Sequence, residues 1–348
     1  MKYFRLIPAL AVSCFLAAFS AQAYDKDGDG KNYHHKKHPA PDHRFSITGG
    51  ATYLAPSMDS LNYASVVNTT DPNSSAQSYN LNPDYDWGYF LAAGYMISDR
   101  YDIQASWAQF NSDASDSVTA APEGITTETL LTSNQTGIPL APGDVATASS
   151  HETLKTEAFD ITLGQYHRLA KTLTARPFVG IGYAKINSET VTNYTTTTDS
   201  GNGFDSFKSN FSGWGPKVGV DAEYTVWDKL GVVGHMGAAF LVGSQEAESN
   251  QYSRAIPALS VPLTQSFAET NAETRIVPAL DAKLGLGWNN LYASNSWGLG
   301  IEGGYQVAYY FNAVNQFQGY LDGGSPTMIN NFEDVSIMGP YLNLSLDF

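Results

Sequence analysis

Alternation of apolar and polar residues dominates the chain after residue 43. In the last ten residues, GPYLNLSLDF, Leu342, Leu344, Leu346 and Phe348 share one parity, and mostly polar side chains take the other. A period of two residues is typical of β-strands. It recurs along the chain at 44–54, 85–97, 101–110, 154–169, 173–186, 211–227, 230–243, 275–288, 297–312 and 335–348.

The links between these segments are alternately short and long. Each segment is long enough to cross a bilayer as a tilted strand, which takes roughly 9–11 residues. Short turns at one end and long loops at the other are typical of outer-membrane barrels. The sequence therefore predicts an all-β, transmembrane, antiparallel up-and-down β-barrel of about ten strands, within a range of about eight to twelve. Its long extracellular loops are predicted near 55–84, 111–153, 187–210, 244–274 and 313–334.

The two faces of the strands favour a membrane barrel over a soluble sandwich. Along 297–312 and 211–227, one parity is almost purely apolar and the other carries glycine and a few charges. An apolar outer face suits lipid, and a closed barrel satisfies every backbone hydrogen bond there. We therefore predict that the polar parity lines a wet interior. The predicted pore-lining residues are Lys217, Asp221, Glu223, His235, Asp281, Lys283, Glu302 and Gln306.

Tryptophans lie near the ends of the predicted strands, which indicates two aromatic girdles at the membrane interfaces. The alternative is that aromatic residues merely favour strands. The predicted girdle residues are Trp87 and Trp214 near long loops, and Trp227, Trp288 and Trp297 beside short turns.

The terminal Phe348 follows alternating apolar residues on the last strand. We interpret it as the signal by which the barrel-assembly machinery recognises the chain, and we expect this strand to close the barrel against the first. The barrel is predicted to span 43–348.

The segment before residue 43 is predicted to lie outside the barrel. Residues 1–23 carry two basic residues, an apolar stretch and an A-x-A site, which predicts a cleaved signal peptide. Residues 24–42 predict a disordered polar periplasmic leader, although His34, His35 and His38 leave transition-metal binding as the alternative. The single cysteine, Cys14, falls in the signal peptide, so no disulfide is expected in the mature chain.

The net charge of the chain limits its expected binding partners. Removing the signal peptide takes away Lys2 and Arg5, so the net charge moves from −15 to −17. Such an acidic chain is a poor candidate for binding nucleic acid. The expected partners are outer-membrane lipid, lipopolysaccharide and the barrel-assembly machinery, with a homo-oligomer left open. The expected location is the outer membrane of a Gram-negative bacterium, and no cofactor or metal site is predicted.

Several blocks resemble the Legionella-type major outer membrane protein family. They are FSGWGPKVGVDAEYTVWDKLGVVGHMGAAFLVG, IVPALDAKLGLGW, LGIEGGYQVAYYFNAV and FLAAGYMISDRYDIQASWAQF. The resemblance runs from about residue 44 to the end and implies a pore-forming barrel. The chain departs from the family in its long loops and in its cysteine-free mature part, because the family's best-known member is disulfide-linked.

Three functions remain open at this point. The first is a porin-like barrel for passive diffusion of small solutes or ions, weakly cation-selective because its predicted lining is acidic. The second is a surface adhesion or wall-associated barrel that acts through its long loops. The third, an enzyme within the barrel, is not favoured, because His151, His167 and His235 show no triad spacing. We therefore predict that the chain is not an enzyme. A further strand pair within 55–84 or 244–274 would widen the barrel.

Overall fold

The computed structural model describes residues 45–58, 61–68, 77–120, 128–131, 137–139, 145–197, 202–227, 229–254, 264–291, 297–322 and 325–348. The predicted signal peptide and polar leader lie outside these ranges. The described residues contain fifteen strands, and none of them belongs to a helix that is long and apolar enough to cross a membrane. The strands are β1 Phe45–Met58, β2 Asn62–Asn68, β3 Gln77–Asn80, β4 Asp86–Met96, β5 Tyr101–Ala120, β6 Glu128–Leu131, β7 Gly137–Pro139, β8 Ala146–Gln165, β9 His167–Arg168, β10 Leu173–Thr196, β11 Asn202–Trp227, β12 Leu230–Arg254, β13 Thr264–Leu291, β14 Gly298–Asp322 and β15 Ser325–Asp347.

Ten of these strands form a closed antiparallel barrel. Each pairs with its neighbour in the order β1, β4, β5, β8, β10, β11, β12, β13, β14 and β15, and β15 returns to pair with β1. The main-chain nitrogens of Phe45 and Phe348 each donate to the other residue's carbonyl at 2.9 Å. The predicted up-and-down barrel, its strand number and its closure by the last strand are confirmed.

Alternation explains which side chains meet lipid. Leu342, Leu344, Leu346 and Phe348 are exposed on the outer face, whereas Tyr341 on the other parity is buried. Comparable apolar side chains are exposed on the outer face of the other barrel strands and form a band about 9–13 residues long. The band begins at the short-turn end and stops near Trp87, Tyr183 and Trp214 at the long-loop end.

The predicted girdle tryptophans lie at both edges of this band. Trp87 and Trp214 are exposed at its long-loop edge, where their rings contact Tyr53 and Tyr183 respectively. At the short-turn edge, Trp227 and Trp297 are exposed and Trp288 is partly buried.

The strands run further than the apolar pattern predicted. β5 continues to residue 120, β10 to 196 and β12 to 254, all within ranges predicted as long loops. These extensions alternate small and polar residues, as in SSHET, so the apolar signal fades where no lipid faces the strand. The barrel wall therefore extends well beyond the lipid band.

A separate four-stranded sheet, β3–β2–β6–β7, does not form part of the barrel wall. The prediction that a strand pair within 55–84 would widen the barrel is wrong, because β2 and β3 pair with each other and with β6 instead. Tyr63 and Ala64 on β2 pack in a buried cluster with Tyr194 of β10, and the Tyr194 hydroxyl donates to the Tyr63 carbonyl at 2.7 Å. β2 therefore packs inside the wall at the long-loop end.

Candidate functional site

Charged side chains from six neighbouring strands meet inside the barrel, within the depth of the lipid band. We call them the ion-pair layer. Each points inward because it lies on the parity opposite to the lipid-facing residues. The layer comprises Asp102, Asp160, Arg176, Lys217, Asp221, His235 and Asp281.

Arg176 anchors the layer at the short-turn side. Its Nε donates to Asp102 Oδ1 at 2.8 Å, and its Nη1 donates to Asp221 Oδ2 at 2.6 Å. Gly164 on the neighbouring strand leaves room for the guanidinium, since a Cβ there would lie 2.3 Å from Arg176 Nε. The pair with Asp102 is almost fully buried. It is therefore shielded from water, and dissolved salt screens its attraction poorly.

His235 links two carboxylates. Its Nδ1 lies 2.5 Å from Asp221 Oδ1, and its Nε2 lies 2.5 Å from Asp281 Oδ2. An ionised carboxylate can only accept, so both ring nitrogens donate and the imidazole carries a positive charge in this arrangement. The Phe178 ring stacks on the imidazole at 5.5 Å between centroids.

Lys217 completes the layer. Its Nζ lies 2.8 Å from Asp160 Oδ2 and 2.8 Å from Asp281 Oδ1. Gly237 makes space for this pair, because a Cβ there would lie within 2.9 Å of the Lys217 chain and the Asp281 carboxylate. Four carboxylates are thus connected through one guanidinium, one imidazole and one ammonium.

The remaining predicted lining residues lie beside this layer. Lys283 is directly opposite His235 in the ladder, as Asp221 is on the other side. Lys217, rather than Lys283, lies between two acidic side chains. The Lys283 ammonium lies over the Phe90 ring at 4.1 Å, while Glu302 accepts from the Tyr341 hydroxyl at 2.5 Å. Glu223 and Gln306 line a cavity inside the barrel that the ion-pair layer also borders.

Sequence reasoning missed Asp102, Asp160 and Arg176. The available signal was the same as for the others, namely a charge on the inward parity of a predicted strand. Asp102 sits one residue into β5 and Arg176 three residues into β10. Their pairing requires the barrel to bring β5 and β10 together around β8, which the sequence pattern alone does not show.

A buried apolar layer fills the interior next to the ion-pair layer, towards the long-loop end. Leu154, Phe211 and Val277 are fully buried in it. The wet interior predicted from alternation is therefore interrupted. The other large members of this apolar layer are Leu54, Phe110, Ile186, Leu241, Tyr310, Val314, Val335 and Ile337.

A cavity of about 470 Å³ lies between the two layers and reaches into both. Its charged lining contains five carboxylates against three lysine or arginine side chains and one histidine among the described residues. The surface facing this space is therefore acidic.

A hydroxyl, an imidazole and a carboxylate also meet on the exposed outer face of β5 and β8. Ser115 Oγ lies 2.8 Å from His151 Nδ1, but His151 Nε2 lies 3.9 Å from Asp113 Oδ1. That second distance is too long for a hydrogen bond. Thr153 instead donates to Asp113 at 2.8 Å, so the acid does not orient the imidazole as it would in a catalytic triad.

The closed barrel with its apolar outer band defines the chain as an outer-membrane β-barrel protein. Residues 37–348 match the family model described as Legionella pneumophila major outer membrane protein precursor. The chain belongs to this family, as its sequence resemblance implied, and it is an outer-membrane protein. No curated relative matches it.

Solved structures of other outer-membrane proteins are similar to the chain. They include the outer membrane protease OmpT from Escherichia coli, with 10% identity, 88% of this chain and 97% of that chain covered, and a TM-score of 0.42. The P. putida toluene transporter TodX has 11% identity, 88% and 90% coverage, and a TM-score of 0.30. The outer membrane protein OprG from Pseudomonas aeruginosa has 12% identity, 71% and 95% coverage, and a TM-score of 0.29.

One prediction is corrected by these comparisons. The prediction that the chain is not an enzyme is contradicted by its similarity to a protease, and it is withdrawn. The similarity is too low to assign a proteolytic activity to this chain.

Proposed function

We propose that this barrel is a narrow, cation-leaning pore for passive diffusion of small solutes or ions. In this proposal the ion-pair layer is the constriction and the apolar layer is its gate. Hydrophobic constrictions can gate a pore by dewetting, and charged side chains at a constriction set selectivity. The observation that carries the proposal is the acidic cavity of about 470 Å³ inside the lipid-spanning part of the barrel.

The direction of selectivity follows from the lining. Glu302, Glu223 and Asp281 face the cavity with Asp160 and Asp221, and they outnumber the basic side chains. A permeating cation therefore meets a negative potential, which salt screens less effectively inside the barrel than at the surface. We place the long-loop end outside the cell, as the strand order and the location of both chain ends at the short-turn end support.

A second candidate function is a closed structural barrel that acts through its long-loop ribbons. The apolar layer favours it, because Leu154, Phe211 and Val277 pack there with almost none of their own surface accessible to solvent. Side chains fill barrels of about eight strands, whereas sixteen or more leave an open channel. Ten strands fall near the filled end of this range.

Reversal potentials in a planar bilayer separate the two candidates. Under a salt gradient, the wild-type protein should give a cation-leaning reversal potential, and Glu302→Gln and Asp221→Asn should each reduce it. Lys208→Gln is the control, because Lys208 pairs with Glu189 on the outer face at 3.2 Å. Anion preference, or no change in either variant, would overturn the constriction. No wild-type conductance, with conductance appearing in Leu154→Ser, would favour the closed structural barrel.

A further inference from the structure

The neighbouring wall strands β13 and β14 separate from each other towards the long-loop end. Their ladder ends at the pair formed by Ala279 and Tyr310. β13 nevertheless extends back to Thr264, where it still pairs with β12, and β14 extends to Asp322, where it still pairs with β15. Among the described residues, the part of β13 before Ala279 therefore has no ladder partner on its β14 side.

Beyond this point β14 leaves the wall and crosses the interior. Gln245 Nε2 on β12 donates to the Ala313 carbonyl at 3.1 Å, and the main-chain nitrogen of Asn315 donates to Ser209 Oγ on β11 at 2.9 Å. Gln245 and Ser209 lie on the inward parity of their strands and are 2% and 3% exposed. Since β13 lies between β12 and β14 in the wall, contacts with β12 and β11 require β14 to run inside the barrel.

We call this part of the β14–β15 pair the inner ribbon, which comprises residues 313–322 and 325–333. Its first residues are buried in the apolar layer, where Val314 is 3% exposed. The Arg275 guanidinium of β13 lies over the Phe332 ring of the ribbon at 3.4 Å. A cation over an aromatic face is an attractive contact, so the ribbon remains fastened to the strand from which it has separated.

The inward bend of β14 is made at Asn312. The ladder between β14 and β15 shifts register between Tyr310 and Val314, and Asn312 has a φ of 52°. Asparagine tolerates this left-handed conformation better than most residues. Asp334 holds the bend: its Oδ1 accepts from the main-chain nitrogen of Asn312 at 2.8 Å, and its Oδ2 accepts from the Tyr309 hydroxyl at 2.5 Å.

The unpaired edge of β13 offers the ribbon a second position. Trp214 is opposite Val242, which is opposite Ile276, so this edge lies at and beyond the rim of the lipid band. An unpaired strand edge presents a row of N–H and C=O groups that can pair with another strand. If residue 312 took an extended φ, β14 would continue its antiparallel ladder along β13.

We propose that the inner ribbon is a hinged plug that closes the long-loop mouth of the barrel. It opens by a change of φ at Asn312, after which β14 pairs with the free edge of β13. The contacts with Ser209, Gln245 and Arg275 belong to the closed state and are exchanged for ladder hydrogen bonds in the open state. Two discrete arrangements of one element are what a conformational switch requires. As a gate, the plug rests on the proposed pore, but its movement can be measured without conductance.

The accessibility of a thiol under the ribbon measures its position. In a Cys14→Ser background, Ser209→Cys places the chain's one thiol on the inner face of β11. The purified protein in detergent is treated with trimethylammonium-ethyl methanethiosulfonate, and mass spectrometry follows the labelling. Asn312→Val should raise the labelling rate about tenfold or more, because valine is disfavoured at positive φ and favoured in a strand. Asn312→Gly should label at the parent rate, because glycine adopts positive φ readily.

Ala148→Cys is the control for general loosening, because Ala148 is buried in the cluster that contains Tyr63 of β2. Its labelling should stay slow in Asn312→Val. Equal rates for the Ser209→Cys thiol in Asn312→Val and Asn312→Gly, in barrels shown to be folded by heat-modifiable mobility, would overturn the proposal. Faster labelling at both thiols would do the same. If Asn312→Val does not assemble, Asp334→Ala removes the acceptor at the bend and should speed labelling several-fold, and a parent rate there would also overturn the proposal.

A chemical bridge distinguishes the plug from the pore. Ser209→Cys and Asn315→Cys, joined by an ethane-linked bis-methanethiosulfonate, would tie the ribbon to β11. In a planar bilayer, the conductance of the Asn312→Val protein should be lost on bridging and return when dithiothreitol cleaves the bridge. Conductance that persists in the bridged protein would overturn the ribbon as a gate. Faster labelling in Asn312→Val without conductance in any variant would support the hinged ribbon and count against the proposed pore.

Discussion

Two regions inside the same barrel bury acidic side chains in opposite ways. In the ion-pair layer, Asp102, Asp221 and Asp281 each contact a basic side chain within 2.8 Å. Nearer the long-loop end, Glu152 contacts none among the described residues and has no hydrogen-bond donor there. The ion-pair layer lies within the lipid band, and Glu152 lies beyond it, seven residues past Phe159.

The difference shows that burial alone does not define the role of an acid. Within the membrane, each carboxylate of the ion-pair layer has a basic partner from the protein itself, because an unpaired charge there is expensive. Beyond the lipid band, Glu152 has no such partner among the described residues, and a buried carboxyl group in that position is protonated or paired with a cation. Breaking a pair in the ion-pair layer and neutralising Glu152 should therefore have opposite consequences for stability.

The largest effect on the free energy of unfolding is expected from a substitution in the ion-pair layer. Arg176→Met keeps much of the side-chain volume but leaves Asp102 and Asp221 without their guanidinium. Breaking a buried pair in this way costs roughly 3–5 kcal/mol. The free energy of unfolding in detergent or lipid, followed by tryptophan fluorescence against denaturant, measures it.

Arg168→Met is the control for this experiment, since Arg168 is exposed at a short turn and donates only to backbone carbonyls. A loss of less than about 1 kcal/mol in Arg176→Met would contradict the view that this layer is a tightly coupled network.

A smaller effect of opposite sign is expected at Glu152. Burial, followed by the charge of Glu333, raises the pKa of Glu152 to about 8 from its ordinary value of 4.5. The folded state then binds the proton more tightly than the unfolded state. This contribution to stability is complete below about pH 4.5 and is lost as the pH rises through 8.

The wild-type free energy of unfolding should therefore fall by up to about 1.4 kcal/mol per pH unit between roughly pH 5 and 8. Glu152→Gln should lose this slope and become the more stable protein at pH 8. Glu246→Gln should keep it. Denaturant titrations at three pH values give the slopes, and equal slopes in the wild type and Glu152→Gln would show that Glu152 does not titrate in this range.

The smallest effect on stability is expected at Phe348, outside the barrel interior. Phe348 stacks near Phe45 at 6.2 Å between ring centroids and remains exposed on the outer face. If it acts as an assembly signal, deleting it should lower the yield of heat-modifiable barrel in the outer membrane. The unfolding free energy of the protein that does assemble should stay close to wild type. A strain that carries the unchanged sequence in the same vector controls for the handling of the cells, and normal yield without Phe348 would remove its signalling role.

Much of the fold could be predicted from the two-residue period of apolar and polar positions in the sequence. Ten segments of alternating residues gave ten barrel strands, because lipid on one side and a crowded interior on the other impose different side chains on successive positions. Leu342, Leu344 and Leu346 reached the lipid face as their parity required. The same rule failed beyond the lipid band, where water faces the wall and the apolar parity has no physical reason to persist.

Only the tertiary structure decided which inward side chains meet. Sequence reasoning placed Lys217, Asp281 and Lys283 on the inward parity, but it did not show that Lys217 rather than Lys283 pairs with Asp281. Contacts across the interior depend on strand stagger and on glycines such as Gly237, neither of which the period of two encodes. Parity acts on each strand separately, whereas the paired charges and the unpaired oxygens arise from distances between strands that are far apart in sequence.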